Sequence, residues 1–211
     1  MANPVNHFDQ SAATWDNKPQ RIALAKAVGE AILREAKPTG DMDVLDYGCG
    51  TGLVSLFLLP HVHSMTGVDS SSGMLDVLNK KIRDDGLTLR TAKLDLENDP
   101  LPSDRYHMIA SSMVMHHVAN LDRVLWSLHE MLLPNGVLCI ADLDAEPGVF
   151  HDSEMAGGVH HHGFDRMDFQ DRLKKIGFIE TKSVTAHVLS KPIQDGSMRD
   201  FPVFLVIVRR T

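Results

Sequence analysis

Hydrophobic residues along the chain follow two different spacings, and the two spacings alternate. Short apolar runs, which are typical of buried strands, occupy 43–47, 63–68, 88–93, 106–111 and 137–141. Apolar residues three and four positions apart predict helices at 22–36, 53–59, 72–85, 121–133 and 165–176. Strands that alternate with helices predict a parallel, doubly wound α/β sheet.

The helix faces can be assigned from the same spacing. In the helix 22–36, one face carries Ile22, Ala25, Val28, Ile32 and Leu33, and the helix should end near Pro38. In the helix 72–85, the residues Met74, Leu75 and Leu78 should point inward. A turn is expected at 134–136, where the chain reads Pro-Asn-Gly.

The C-terminal part of the chain breaks the alternation. Two strand-like runs, 178–189 and 203–208, are joined by residues 190–202 with no helical pattern between them. Neighbouring strands without a crossover helix pair antiparallel. The expected fold is therefore a mostly parallel, seven-stranded sheet that ends in an antiparallel hairpin, formed by one domain spanning residues 1–211.

A glycine-rich turn follows the first predicted strand. Residues 44–52 read V-L-D-Y-G-C-G-T-G, which places glycines at 48, 50 and 52 in front of a helix. Glycine lets the backbone turn sharply and lets a ligand approach it, and the helix start offers free N–H groups. A dinucleotide fingerprint needs its third glycine at the next position, where this chain has Leu53.

This turn resembles the first motif of the class I S-adenosylmethionine (SAM)-dependent methyltransferases. The segment 8–16, F-D-Q-S-A-A-T-W-D, is similar to the F/Y-D-x-x-A-x-x-Y/W-D segment of the small-molecule members, which folds over the cofactor. With the antiparallel tail, the resemblance covers nearly the whole chain. It implies SAM as cofactor and a helical cap formed by residues 1–38.

The resemblance also implies a set of cofactor-binding residues. Asp46, Gly48 and Gly50 would hold the amino-acid half, Asp69 the ribose, and Asp95 and Leu96 the adenine, with Ser111 beneath the sulfonium and Trp15, Arg21, Ser70 and Met74 as further contacts. Other interpretations remain open. Asp69 could cap the helix that follows it, residues 95–99 could form a solvated turn, and Trp15 could simply pack the N-terminal helix against the body.

Histidines are the candidate catalytic residues on the acceptor side. The chain has 12 of them, and Val114–Val118 resembles the L-H-H segment that follows the fourth strand in this family. A neutral imidazole can take a proton from the acceptor. We select His116, His117 and His161 as candidates, although either of the first two could instead pack or cap the next helix.

A second histidine group lies in residues 150–164, whose glycines predict a lid over the substrate. Adjacent residues in an extended strand alternate sides, so His160, His161 and His162 do not face one metal together. His160 and His162 with His151 remain conceivable as zinc or nickel ligands. The sequence-based assignment nevertheless contains no metal site.

Charge and composition limit the partners. The net charge is −7 and no Lys/Arg cluster stands unopposed, which argues against nucleic acid. No apolar run reaches about 18 residues, there is no leader pattern, and two cysteines fit a reducing compartment, so we expect a cytoplasmic protein without a membrane partner. Oligomeric state is not determined by the sequence.

The absence of certain motifs restricts the chemical class of the methyl acceptor. The fourth strand ends in I-A-S-S, not in the N/D-P-P-Y/F of methyltransferases that act on exocyclic amines, and no Pro-Cys nucleophile is present. Two thiols are too few for arsenic methylation. A small organic molecule with an O, N or C acceptor is expected. The alternatives are an NAD(P)-linked oxidoreductase and a non-catalytic SAM-binding module.

Overall fold

A seven-stranded sheet forms the centre of the computed structural model, which describes residues 4–151 and 158–211. The strands, in chain order, are β1 Asp43–Tyr47, β2 Ser64–Asp69, β3 Arg90–Lys93, β4 Tyr106–Ser112, β5 Leu132–Leu143, β6 Phe178–Pro192 and β7 Met198–Arg210. Their order in the sheet is β3-β2-β1-β4-β5-β7-β6. The predicted α/β sheet is confirmed.

Helices surround this sheet. They are α1 Pro4–Ser11, α2 Pro19–Glu35, α3 Leu53–Leu58, α4 Ser72–Asp84, α5 Leu121–Met131 and α6 Arg166–Ile176, with short 3₁₀ turns at Ala12–Asn17, Leu59–His61 and Met115–His117. Gly177 follows α6 as its C-cap, as expected. The segment ahead of α2 had been predicted as part of a helical cap, without the bounds of its helix or the 3₁₀ turn.

Both faces of the sheet are covered, because alternate residues of a strand point to opposite sides. In β1, Leu45 and Tyr47 belong to the core with α5 and α6, whereas Val44 belongs to the core with α2 and α3. Burial on both sides explains why the central strands are apolar runs without alternation.

The terminal hairpin is confirmed. β5 pairs antiparallel with β7, and β7 pairs antiparallel with β6, whereas β1, β2, β3, β4 and β5 are joined by parallel pairing. The hairpin is longer than predicted, because pairing continues out to Pro192 and Met198. Much of the predicted connection 190–202 is therefore strand, held by backbone hydrogen bonds that a hydrophobic pattern does not reveal.

Two further predictions of detail were wrong. Ile22 is 47% exposed and does not lie on the buried face of α2, where Ala25, Val28 and Ile32 do. The turn expected at 134–136 lies within β5, as an irregularity where Asn135 has a φ of +63°. The sequence identified the local bend there, but pairing with β4 on both sides keeps the segment in the sheet.

The remaining observations concern the two cysteines, the length of the helices and the predicted lid. Both cysteines, Cys49 and Cys139, are buried and unpaired. Within residues 4–151 and 158–211, no helix has the length and apolar character needed to cross a bilayer. Residues 152–157 of the predicted lid 150–164, including Gly157, lie outside the described residues.

Candidate functional site

The three glycines of the loop after β1 do not all serve the same purpose. Gly48, Gly50 and Gly52 all have positive φ angles, of +72°, +53° and +84°. A Cβ at Gly48 would lie 2.2 Å from a Val114 methyl carbon, and one at Gly52 would lie 2.3 Å from Leu78. In the part of the chain that the structure describes, a Cβ at Gly50 would meet only the Met74 sulfur, at 4.0 Å. Two glycines are thus required by packing, while Gly50 keeps its backbone open to a cavity.

That cavity has a volume of about 370 Å³ and lies at the carboxyl ends of β1, β2 and β4. Asp46, Asp69 and Ser112, each at or near a strand end, contribute to its lining. The chain turns from one side of β1 to the other at this point, since β2 and β4 flank β1. Ligands of open α/β sheets bind at such a switch point.

The N-terminal segment covers the cavity with two aromatic side chains. Phe8 and Trp15 line it and contact each other edge to face, with ring centroids 5.8 Å apart. Arg21 also lines it, and its guanidinium carbon lies 3.3 Å from the centroid of the Trp15 ring. Arg21 Nη1 donates to the Trp15 carbonyl oxygen at 3.1 Å. A stacked, oriented guanidinium can bind a carboxylate.

Two carboxylates that were not among the predicted site residues hold the segment in place. Asp9 Oδ1 accepts from Ser71 Oγ at 2.6 Å and from Gly73 N at 2.8 Å. These hydrogen bonds, the one from Ser71 above all, lower the pKa of Asp9. Each of the two Asp positions in the F-D…W-D segment directly follows a cavity-lining aromatic, which was a usable signal.

Asp16 makes the second attachment. Its Oδ1 accepts from Thr51 Oγ1 at 2.6 Å, and its Oδ2 lies 2.6 Å from Lys81 Nζ. Lys81 Nζ also donates to the carbonyl oxygen of Thr51 at 2.7 Å. The cap is therefore tied directly to the glycine loop.

Asp69 at the end of β2 accepts hydrogen bonds from two backbone N–H groups. Its Oδ2 accepts from Gly50 N at 2.8 Å and its Oδ1 from Ser71 N at 2.8 Å. Each carboxylate oxygen can accept again, so a diol could bind there as well. The side-chain cap of α4 is Ser71, whose Oγ accepts from Met74 N. Ser70 and Met74, also predicted for the cofactor, line the cavity beside Asp69.

Asp46 is a buried acid beneath the loop. It is 1% exposed, and Ser55 Oγ donates to its Oδ2. Burial raises the pKa of Asp46 to about 6, with a smaller contribution from the nearby Asp69 carboxylate and an opposing one from Ser55. A positive ligand group at this position would restore the charged form.

Asp46→Asn should stabilise the protein without ligand and weaken SAM binding. Because the folded state holds the proton more tightly than the unfolded state, whose pKa is near 3.8, Asp46 lowers stability as the pH rises from about 4 to 6. Above that window the cost is roughly 2–3 kcal/mol. We expect the Asn variant to show a larger gain in unfolding free energy at pH 8 than at pH 5 in urea titrations.

The exposed Asp76→Asn on α4 is the control and should show no such difference. Equal gains for Asp46→Asn at both pH values would contradict the raised pKa.

Of the three residues predicted to contact the adenine or the sulfonium, Asp95 lies at the cavity, whereas Leu96 and Ser111 do not. Asp95 lines the cavity, but its carboxylate also closes a local turn by accepting from Glu97 N at 2.9 Å. Leu96 is 1% exposed and does not belong to the lining. Ser111 is likewise buried, with its Oγ donating to the Tyr47 carbonyl at 2.9 Å. Met113, at a φ of +60°, lines the cavity instead.

Of the three candidate catalytic histidines, His117 is the one that lines the cavity. Its Nδ1 lies 2.7 Å from the Gly158 carbonyl oxygen, which can only accept, so Nδ1 carries the proton and Nε2 is left as an acceptor. Burial lowers the pKa of His117 to about 4. Its ring also contacts Phe8 edge to face, at 5.2 Å.

His116 and His161 do not line the cavity. His116 is 1% exposed, and its Nδ1 lies 2.7 Å from Asp142 Oδ1. His161 Nε2 donates to the Val118 carbonyl at 3.0 Å, and burial lowers its pKa. The exposed His160, which had not been selected, lines the cavity in its place. Catalytic roles for His116 and His161 stay predictions.

His151 lies against His116 and His117. One ring nitrogen from each of these three residues falls within 4.8 Å of the others. This grouping differs from the one of His151 with His160 and His162 that the sequence left conceivable. His162 Nδ1 lies 3.7 Å from Glu146 Oε1.

Sequence comparison with known proteins identifies methyltransferases, the family that the glycine loop resembles. Residues 44–136 match the family described as "Methyltransferase domain". An uncharacterized methyltransferase of Schizosaccharomyces pombe is 30% identical in an alignment of 205 positions. The aligned part covers 75% of this chain and 72% of the relative. The malonyl-[acyl-carrier protein] O-methyltransferase of Serratia marcescens is 30% identical over 138 residues, covering 65% of this chain but only about half, 51%, of that enzyme.

A solved structure extends the likeness to the whole fold. A SAM-dependent methyltransferase from Clostridium acetobutylicum superposes with a TM-score of 0.68 at 16% identity, covering 99% of both chains. At this identity the likeness concerns the fold.

Proposed function

Since the chain belongs to the class I SAM-dependent methyltransferases, we propose that it transfers the SAM methyl group to a small-molecule acceptor beside His117 and releases S-adenosylhomocysteine. The observation that carries the proposal is one continuous cavity. Its lining includes the open backbone of Gly50 and the Asp69 carboxylate together with His117 and Val118. Such a cavity can hold donor and acceptor together.

The cofactor arrangement that we propose follows from these contacts. The amino-acid half of SAM lies near Asp46 and Arg21, which offer a carboxylate for its ammonium and a guanidinium for its carboxylate. The ribose diol reaches Asp69. Trp15 is available to the sulfonium as an aromatic neighbour, a contact worth about 0.5–2 kcal/mol. Asp95 then lies toward the adenine.

Catalysis on the acceptor side is mainly a matter of alignment. The methyl group of SAM is already activated, and orienting a nucleophile for in-line attack supplies up to roughly 7–11 kcal/mol. The tautomer of His117 that is fixed by Gly158 leaves Nε2 free to accept a hydrogen bond from the acceptor. A cover formed by Phe8 and Trp15 favours a small acceptor over a macromolecular one.

The oxidoreductase alternative has less support. Leu53 occupies the third glycine position of the dinucleotide fingerprint, and its side chain helps to line the cavity. β7 runs antiparallel to β5. Calorimetric titration with SAM, S-adenosylhomocysteine and NAD, in parallel, should give binding for the first two.

The test of methyl transfer is turnover of SAM to S-adenosylhomocysteine with a panel of phenols, amines and carboxylic acids. With an acceptor in hand, His117→Gln should lower the turnover rate by about 10²-fold or more while SAM affinity stays unchanged. The exposed His63→Gln should turn over like the wild type. Turnover by His117→Gln at the wild-type rate would remove His117 from the acceptor site.

A further inference from the structure

We propose that His116, His117 and His151 form a binding site for a divalent transition-metal ion of the zinc type. The three residues come from two separate parts of the chain, the 3₁₀ turn after β4 and the segment after β5. One nitrogen of each imidazole lies within 4.8 Å of the other two. Three imidazoles are a ligand set that zinc, nickel or copper accepts and that magnesium and calcium do not favour.

His116 is oriented as a metal ligand would be. Its Nδ1 lies 2.7 Å from a carboxylate oxygen of the fully buried Asp142, so Nδ1 is the protonated nitrogen. Its Nε2 is buried and has no hydrogen-bond partner in the described part of the chain. A carboxylate that fixes the tautomer of a ligating histidine is the usual second contact at protein zinc sites.

Asp142 is itself fixed by the backbone. Its Oδ2 accepts from His116 N at 3.2 Å, and its Oδ1 accepts from Leu143 N at 2.7 Å. Two backbone N–H groups and the His116 ring thus hold this carboxylate in one orientation against the proposed ligand.

The other two rings offer matching nitrogens. The Gly158 carbonyl occupies Nδ1 of His117 and leaves Nε2 available. Nε2 of His151 is buried and, like that of His116, lacks a partner among residues 4–151 and 158–211. Buried polar nitrogens are normally hydrogen-bonded, and these two lie on rings whose centroids are 5.0 Å apart, so both are available to one shared ligand.

The three imidazole rings lie close together. The ring centroids are 4.1 Å apart for His116 and His117, 5.0 Å for His116 and His151, and 5.3 Å for His117 and His151. Zinc–nitrogen bonds of about 2.0–2.1 Å place ligand nitrogens about 3.4 Å apart. The three nitrogens, at up to 4.8 Å, are farther apart than this and would draw together on binding the ion. An ion bound by Nε2 of His117 would replace the hydrogen bond that this nitrogen offers the acceptor in the metal-free protein, and it would lie beside the cavity that His117 lines.

The experiment uses Zn²⁺ alone, on the full chain prepared without a polyhistidine tag and in the absence of SAM. Competition against a chromophoric chelator should show one tight equivalent per chain for the wild type. His151→Phe, which keeps an aromatic ring but no ligand atom, should lose that equivalent. Asp142→Asn should weaken it by about 10–100-fold, because only the orienting contact is changed.

His162→Gln is the matched control, since it removes a histidine from the neighbouring loop and tests the alternative grouping of His151 with His160 and His162. It should bind like the wild type. Circular dichroism of each metal-free variant shows that the fold is intact, and His151→Gln replaces the Phe variant if the latter fails to fold.

Cobalt provides a second, spectroscopic measurement. Four-coordinate Co²⁺ should give intense visible absorption with the wild type and not with His151→Phe. Equal zinc affinity in wild type and the folded His151 variant would overturn the proposal, and so would loss of the equivalent in His162→Gln. Failure here leaves methyl transfer untouched, because neither SAM nor an acceptor is present in the assay.

Discussion

Gly50→Val is expected to abolish the binding of SAM and S-adenosylhomocysteine while the sheet stays folded. A side chain at this position would enter the cavity, because among the described residues a Cβ there meets no atom nearer than the Met74 sulfur at 4.0 Å. The loss is therefore steric and falls on the ligand. Calorimetric titration should show at least a 10²-fold loss of affinity, equivalent to about 2.7 kcal/mol.

Gly86→Val separates this effect from backbone strain. Gly86 has a φ of +62°, close to the +53° of Gly50, and a Cβ there meets no atom of residues 4–151 and 158–211 within 4 Å. A valine at positive φ costs about 1–3 kcal/mol of stability at either position. Both variants should thus lose similar stability in urea unfolding, and only Gly50→Val should lose the cofactor. If Gly50→Val retains SAM affinity, the loop is only a turn and its backbone does not contact the cofactor.

Asp69→Ala should have the second large effect on cofactor affinity. The carboxylate accepts from the backbone N–H groups of Gly50 and Ser71, and in our proposal it accepts from the ribose diol as well. Removing it costs about 1–3 kcal/mol for the unsatisfied diol. It also frees the loop that bears Gly50. We expect a loss of about 10²-fold or more in SAM affinity by calorimetry.

Two companion variants define the cause. Asp76→Ala lies on the exposed side of α4 and should bind SAM like the wild type. Asp69→Asn keeps one acceptor oxygen but turns an amide N–H₂ toward one of the two backbone donors, so it should fall between the wild type and the alanine variant. Wild-type affinity in a folded Asp69→Ala would exclude this carboxylate from the site.

Much of the fold could be predicted from local pattern. The bounds of β1 and the start of α4 agree with the predicted ones, because a short apolar run and a capped amphipathic repeat are local signals. The ends of β6 and β7 could not be predicted in this way. Their outer residues are held by mutual hydrogen bonds, and their side chains are mostly exposed, so hydrophobicity carries no information there.

The glycine loop and its acids were also readable from the sequence. Spacing after a strand determines that Gly50, Asp46 and Asp69 meet at one edge of the sheet, since parallel strands end at the same edge. Asp9 and Asp16 were present in the same segment as the cavity aromatics. Their hydrogen bonds to Ser71 and Thr51 join parts of the chain that are 62 and 35 positions apart.

The sequence alone thus determined the order of strands and helices, the glycine loop and the cofactor that it implies. Only the tertiary structure decided which histidine reaches the cavity and which histidines meet. His116 and His117 are neighbours in the chain, yet one is enclosed with Asp142 and the other lines the cavity. His151 joins them from beyond β5. The hydrophobic period along a strand or helix determines on which face of that element a residue lies. Contacts between residues of different loops depend instead on how the strands and helices pack together.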